Sequence, residues 1–446
     1  MRKWLSPLIY IVIALIAVVI SLPPILGFLA ESRCKKIVEI INSTTPLSAK
    51  ITKYKRGWFS AKAKAEISLD KLDLKNKELY RAEIVATIGH GPMIIDWARF
   101  YFAQAVINAN IKLNDEQNRL LKHNNAPIAT SNIKIKLNGN TRISLNSIPL
   151  VYQNEEKGKS CIWKGLKIAA TFSPLYNETN SHIEFAGIEI EDKERTISFG
   201  EVTSNLQAKK SSGDLWLGKR DLHIESFVSK SIYNRIIELE KVKIISQAKE
   251  SKENSVNMES VITIGNMNIN GGMYTQNKLD LDINYINQKA FSSLLQQITS
   301  KKILISPTSL GFDILMTLLN NGTEIDMKRL NTNTPWGRAI AKLKVTFPDQ
   351  AGSLGLLSII TNISIDSDIK IKHALALHLL EKFYQNIPSS KKDKNSAEKA
   401  KNLLEEWQKS GKITTEEDSG YLNINFDYKN NQMFINNKPL TLTTQL

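Results

Sequence analysis

Apolar and polar residues alternate along much of this chain, and one segment departs from the pattern. From Trp4 to Ala30, 27 residues pass without a charged side chain, between Arg2 and Lys3 on one side and Glu31, Arg33, Lys35 and Lys36 on the other. A helix rises about 1.5 Å per residue and a hydrocarbon core is roughly 30 Å thick, so the run predicts a membrane anchor. Pro7 suits a first helical turn, whereas Pro23 and Pro24 are expected to kink the helix or end its regular part. The most apolar block, Leu8–Leu22, has 15 residues, the upper length of a signal-peptide core. A cut site needs small residues at alternate positions, and Ala30, Gly27 and Ser21 are preceded two places earlier by Phe28, Ile25 and Val19. That favours an uncleaved anchor over a cleaved signal. Ser32–Ile41 carries Cys34, Ile37, Val38 and Ile41 at helical spacing and reads as an amphipathic stalk.

The period then changes to two. Ala61, Ala63, Ala65, Ile67 and Leu69 alternate with Lys62, Lys64, Glu66, Ser68 and Asp70, the pattern of a strand with one buried face. After Asp70 the apolar positions shift to Leu72 and Leu74, which predicts a bulge or turn. Alternation returns at Ile133, Ile135, Leu137; at Ile143, Leu145; at Ile188, Ile190; at Leu279, Leu281, Ile283, Tyr285; and at Leu422, Ile424, Phe426, Tyr428. One apolar and one polar face imply antiparallel sheet. Helices are predicted at 289–301, 308–320, 373–386 and 395–410, whereas 93–109 reads as helix or buried strand. In 395–410, Asn395 and Glu398 resemble a capping box, Ala400, Leu403, Leu404 and Trp407 form one stripe, and Gly411 can close the end. Ser389–Lys394 is a surface loop by composition.

The expected fold class is therefore α+β, predominantly antiparallel β. A single N-terminal transmembrane helix is followed by a large β-rich domain, with several helices toward the C-terminus. The expected divisions are 1–30, a basic tail and anchor (or uncleaved signal); 31–46, the stalk; 47–288, a β-rich domain; 289–412, a helix-containing region; and 413–446, a C-terminal hairpin rejoining the sheet. The 416 residues beyond the anchor suffice for two domains or one long one.

Charge changes the picture near the anchor. The chain carries a net +15, and residues 31–64 hold nine basic residues (Arg33, Lys35, Lys36, Lys50, Lys53, Lys55, Arg56, Lys62 and Lys64) against Glu31 and Glu39, a local +7. Such a cluster suits anionic lipid head groups, and solvent-facing strand lysines account for it equally well. Lys and Arg are balanced across the run, so charge alone gives no orientation. No basic-aromatic recognition module occurs, and nucleic acid is not an expected partner.

Candidate chemistry is sparse. The chain contains no P-loop, G-x-G-x-x-G, H-E-x-x-H or G-x-S-x-G motif. His373 and His378 are five apart, about 140° around a helix, which does not suit a shared metal. Asp280 and Asp282, like Asp366 and Asp368, fall on polar strand faces, where a solvated role is the simpler reading. Cys34 and Cys161 lack metal-site spacing; two free thiols are the favoured reading, and a disulfide tying the domain to its stalk is the alternative. Two short segments stand out. Tyr54-Lys55-Arg56-Gly57-Trp58-Phe59-Ser60 sets a glycine able to take φ > 0 among aromatics that supply core contacts or a surface cluster. Gly89-His90-Gly91-Pro92 ends a strand in a turn, where a buried or turn-bonded histidine is more plausible than a catalyst.

These segments carry a resemblance. An apolar N-terminal anchor, Tyr-x-Arg-Gly-x-Phe-Ser, and His-Gly-Pro some thirty residues on resemble the YdgA-like family of bacterial envelope proteins of unknown function. The C-terminus resembles that family's hairpin, with Tyr428, Asn430-Asn431, Asn436-Asn437-Lys438 and Leu440. Asn431 and Asn437 stand where the family has glycine, and asparagine is the next best residue at φ > 0. A looser echo lies at Gly213–Gly218. The resemblance implies a single-pass inner-membrane protein with its large domain in the periplasm, and it brings no catalytic residues. The expected role is binding or scaffolding in the envelope. Lipid or envelope-polymer handling in an apolar groove is the alternative, and an unrecognised enzyme is a third. Expected partners are the bilayer through the helix, anionic head groups through the basic stalk, and a second copy or another envelope protein. No catalytic, cofactor-binding or metal-ligating residue is assigned.

Overall fold

The structure, a computed structural model, describes residues 5–44, 47–68, 81–96, 99–121, 126–154, 158–212, 215–233, 235–251, 254–299, 318–319, 322–349, 361–386, 395–416 and 418–439. Side chains of residues 5–21, and of a few others within elements, are outside that description. The chain forms two compact units. The first comprises Met1–Lys193, Glu201–Lys209 and Gln296–Ile305, and the second comprises Glu194–Gly200, Lys210–Leu295 and Ser306–Leu446.

The first unit opens with helix α1, Leu5–Thr44, which runs through Pro23 and Pro24 without a break in its assignment. The expected anchor Trp4–Ala30 falls mostly on residues whose side chains are not described. Among the described residues, no helix is long and apolar enough to cross a membrane. The strands are β1 (Ser48–Arg56), β2 (Ser60–Ser68), β3 (Arg81–His90), β4 (Ile94–Asp96), β5 (Arg99–Tyr101) and β6 (Ala103–Lys112). After the short helix α2 (Asp115–Leu120) come β7 (Ala129–Lys136), β8 (Thr141–Ser147), β9 (Leu150–Asn154), β10 (Lys159–Trp163), β11 (Leu166–Phe172), β12 (Glu178–Phe185) and β13 (Ile188–Glu191). The next strand in the chain, β14 (Arg195–Phe199), belongs to the second unit, and β15 (Val202–Lys210) returns to the first.

Its main sheet is antiparallel throughout, in the order β1-β2-β3-β6-β7-β8-β11-β12-β15. β4 and β5 form a separate hairpin. β9, β10 and β13 continue β8, β11 and β12 past a shared break at Ile148-Pro149, Lys164-Gly165 and Ala186-Gly187. Two backbone bonds cross the break, Lys164 N–H to Gly187 O and Ala186 N–H to Gly165 O, each 3.0 Å. The described residues of 93–109 thus form strands β4, β5 and β6 and no helix. In β2, Ala61 is buried while Lys62, Lys64 and Glu66 are exposed, as the alternation predicts. The phase shift at Leu72 and Leu74 lies outside the described residues.

The second unit contains β14, β16 (Trp216–Ser231), β17 (Ile236–Glu250), β18 (Ser255–Ile269) and β19 (Gly272–Asn287), then the greater part of helix α3 (Gln288–Thr299), up to Leu295. β20 (Glu324–Thr334), β21 (Gly337–Thr346) and β22 (Ser364–Lys372) precede helices α4 (His373–Asn386) and α5 (Ser396–Lys409), and β23 (Thr414–Glu416), β24 (Tyr421–Lys429), β25 (Gln432–Ile435) and β26 (Lys438–Pro439) close the chain. The sheet runs β14-β16-β17-β18-β19-β20-β21-β22-β24-β25-β26, all antiparallel, with β23 beside the start of β24.

Register lines up one apolar row across eight strands: Leu222, Ile244, Ile262, Leu279, Leu330, Ala341, Ile369 and Ile424. α4 and α5 cover its C-terminal end, where Leu375, Ala376 and Leu404 pack with Ile371, Ile413 and Leu422. At another edge Phe291 of α3 packs with Leu215, Leu217 and Val256. The alternation from Leu279 ends at Tyr285, whose φ of 62° breaks the phase.

The helices at 289–301, 373–386 and 395–410 are present, and most of 308–320 and all of Ser389–Lys394 lie outside the described residues. The capping box expected at α5 does not form, because the Asn395 amide donates to the Glu398 carboxylate and makes no cap bond. A complete capping box occurs instead at α2, between Asn114 and Gln117. Asn430, Asn431, Asn436 and Asn437 all have φ between 47° and 63°, so both C-terminal turns take the left-handed form that asparagine tolerates.

Candidate functional site at the helix-docking rim

The two segments that stood out in the sequence meet at one end of the first sheet, against α1. β3 ends at His90, whose ring is 1 % exposed. Its Nδ1 lies 3.0 Å from the carbonyl oxygen of Pro23. A carbonyl only accepts, so Nδ1 carries the proton and donates. The other ring nitrogen, Nε2, is buried without a hydrogen-bond partner. Gly27, one turn further along α1, lies against this ring: a Cβ there would sit 2.8 Å from His90 Cε1, inside any normal contact. Gly89, on the other face of β3, admits Ile94 in the same way, with 2.8 Å from a built Cβ to Ile94 Cγ2.

Below this point α1 packs through Ala30 and Cys34 onto Ala61, Ala86, Ile88, Ala105, Ile107 and Ile135. The many alanines are the reason a helix can approach the strands closely. Branched side chains on that face would hold it off. Tyr54 joins this core, and its hydroxyl is buried without a partner. Burial first, then Glu31, pushes the Cys34 thiol up to about 11. Burial, then Cys34 and Glu31, pushes the Tyr54 phenol up to about 12 despite the opposing Arg56.

Polar contacts fix the helix edges. Glu31 pairs with Lys35 at 3.0 Å and with Arg56 at 3.5 Å, and the Arg56 guanidinium lies 3.6 Å over the Phe28 ring. Arg33 donates to Pro174 O at 3.1 Å and stands over Tyr176. At the far end the Asn42 amide makes two bonds to the Ala49 backbone, 3.0 and 2.6 Å. Part of the basic cluster is therefore engaged in holding α1, whereas Lys50, Lys53, Lys55 and Lys62 are exposed. Lys55 faces Lys62 directly across the β1–β2 pair, a repulsive placement in the isolated chain.

Gly57 has no positive φ. What it supplies is space, since its N–H donates to Ser60 O at 2.7 Å and a Cβ would lie 3.0 Å from that oxygen. The aromatics of the segment divide, with Tyr54 inward and Trp58 and Phe59 on the surface.

The remaining candidates are scattered. His378 of α4 stacks on Trp336, ring centres 3.6 Å apart, and the His373 backbone bonds Gly420. Asp280 pairs with Lys278 and Arg329, and Asp282 with Lys328. Asp366 and Asp368 are exposed on β22. Glu416 is held down to about 2 by bonds from Lys370, Ser419 and Asn423. Cys34 and Cys161 are free thiols. Gly213 lies outside the described residues, and Leu215 and Leu217 of the same segment are core. Sequence reasoning missed Pro23 and Gly27 as partners of His90. The available signal was the small-residue series Gly27, Ala30, Cys34 at helical spacing, opposite the alanine face of β2.

These observations define a β-rich protein whose N-terminal helix is a structural member of its first sheet. The chain belongs to a family of bacterial proteins of unknown function, DUF945, which matches residues 1–443. No curated protein and no solved structure matches it.

Proposed function

We propose that this chain is a single-pass protein of the bacterial inner membrane, with its β-rich units in the periplasm as a binding or scaffold element of the envelope. The observation that carries the reading is the docking of α1. Pro23, Leu26, Gly27 and Ala30 are buried, which divides the uncharged run in two. Within Pro23–Ala30 the buried residues dock on the sheet, and Leu5–Leu22 precedes that docked part in the same helix. Eighteen uncharged residues at about 1.5 Å each give roughly 27 Å, within the range of a spanning helix. The orientation rests on the resemblance to the YdgA-like proteins. The scaffold role draws on long antiparallel strands and on carboxylates such as Asp280 and Asp282 that are occupied by cations.

Alkaline carbonate extraction and protease digestion of intact cells and spheroplasts test the placement. The full chain is expected in the carbonate-resistant pellet and cleaved only in spheroplasts. Release by carbonate, or protection in spheroplasts, would overturn it. A second reading, lipid or polymer handling, draws on the apolar row from Leu222 to Ile424. Native mass spectrometry of the extracted protein separates the two, because a stoichiometric co-purifying phospholipid would replace the pure scaffold reading.

A further inference from the structure

Exposed apolar side chains are concentrated at the rim of the first sheet where Pro23 of α1 docks. Trp58 and Phe59 of the β1–β2 turn are 54 % and 59 % exposed, Met93 after β3 is 52 % exposed, and Phe102 before β6 is 70 % exposed. Phe28, Ile25 and Leu29 on the outward side of α1 are exposed at the same level, as is Leu137 in the β7–β8 turn. One chain of hydrogen bonds joins these segments. His90 N–H donates to Phe59 O at 3.0 Å, and the His90 ring donates to Pro23 O. Gly91 N–H donates to Gln104 O at 3.2 Å, and the Gln104 amide donates to Leu137 O at 2.9 Å. The segments that carry the exposed side chains are thus hydrogen-bonded to one another.

The geometry fixes which end of the sheet this is. From Pro23 at His90 to Asn42 at Ala49, α1 runs the length of β1. Helix and strand agree in extent, about 30 Å in each case. The helix residues before Pro23 therefore follow on from this rim, on the side away from Asn42. Just inside it, Lys55 and Lys62 face one another on β1 and β2, exposed and repelling unless an anion lies nearby.

We propose that this rim is a membrane seat. Trp58, Phe59, Met93 and Phe102, with Phe28 of α1, enter the interfacial layer of the bilayer around the emerging helix, while Lys55 and Lys62 meet anionic head groups. Large aromatics and aliphatics above a basic band are the composition that binds such an interface. The inference rests on the reading of Leu5–Leu22 as a membrane span. It adds that the first unit is held against the bilayer and not displayed on a free tether.

The test is spin-label depth measurement on the full chain in vesicles of mixed neutral and anionic phospholipid, in a Cys34→Ala, Cys161→Ala background. Labels are placed by Leu15→Cys in the span, Trp58→Cys and Phe102→Cys at the rim, and Lys50→Cys at the far end of β1. The ratio of collisions with oxygen to collisions with a polar nickel chelate is expected to be several-fold higher at 58 and 102 than at 50. Water-like ratios at 58 and 102 would overturn the seat, and a label there shielded from both quenchers would overturn it in favour of a protein contact. Failure of the span itself is read separately, at position 15. Should the cysteine-free background misfold, quenching by brominated lipid in the otherwise native chain gives the same decision. Trp58→Phe is expected to remove a quenched component of the emission, and an unchanged quenched fraction would refute the seat.

Discussion

The contact between His90 and Gly27 gives a prediction with a sign that ordinary destabilisation cannot imitate. His90→Ala removes a ring that is 1 % exposed, together with its bond to Pro23. Large-to-small replacement and the lost hydrogen bond amount to about 3 kcal/mol. Gly27→Ala brings a methyl to 2.8 Å from Cε1. Overpacking of this kind costs about 2 kcal/mol, offset by about 1 kcal/mol of helix propensity. In the double variant the methyl added at position 27 enters the space the imidazole has left, so the clash disappears and the propensity gain remains. The double variant should then lose about 2 kcal/mol, less than His90→Ala alone, a coupling of about 2 kcal/mol between the sites.

Cys34 reports this directly, because it packs under the same helix two turns further along and becomes accessible when α1 lifts. The assay is the rate of thiol labelling of Cys34 in a Cys161→Ala chain, in mild detergent at one pH. Each 1.4 kcal/mol is tenfold, so His90→Ala should speed labelling by about two orders of magnitude and Gly27→Ala by no more than about tenfold. Adding Gly27→Ala to His90→Ala should slow it again. A double variant that labels at the product of the two single effects would refute the reasoning.

Other expectations follow from the same packing. The raised Cys34 pKa means that the folded state holds this proton more tightly than the unfolded chain. Its contribution is complete below pH 9 and is lost as pH rises from the ordinary 9.0 to about 11. That amounts to roughly 2–3 kcal/mol, and a melting-temperature profile against pH should flatten over this interval in Cys34→Ala. Asn437, at φ 63°, should tolerate glycine, whereas Asn437→Ala should cost about 1 kcal/mol and weaken hydrogen-exchange protection at the last turn. Leu404 is 2 % exposed in the core under α4 and α5, and Leu404→Ala should cost roughly 2–5 kcal/mol in chemical denaturation.

The periodic parts of this architecture were legible in the sequence because their signal is local. The alanine face of β2, the span of α4 and the stripe Ala400, Leu404, Trp407 each follow from spacing within a dozen residues. The asparagine turns at 430–431 and 436–437 were read through the resemblance to a family hairpin with glycine there, and they hold because asparagine tolerates φ > 0. What escaped was contact across sequence distance. Nothing local to Pro23-Pro24 shows that a histidine 67 residues later will take the Pro23 carbonyl, so the prolines read only as a break. Gly57 was misjudged in kind, because a glycine needed for space and one needed for φ look alike in sequence. At Asn395 the carboxylate of Glu398 competed successfully for the amide, a choice that side-chain geometry makes and residue order does not.

The alanine-faced strands have a consequence for the order in which the chain is made. α1 is synthesised first, yet the side chains that cover Ala30 and Cys34 come from β2, β3, β6 and, last, Ile135 of β7. From the ribosome's side the helix is complete about ninety residues before its receiving surface exists. Over that interval Ala30 and Cys34 gain their covering residues in turn, from β2, β3 and β6 and finally from Ile135. The face that receives α1 is therefore complete only once β7 has been made, and β8, β11, β12 and β15 extend the sheet after it.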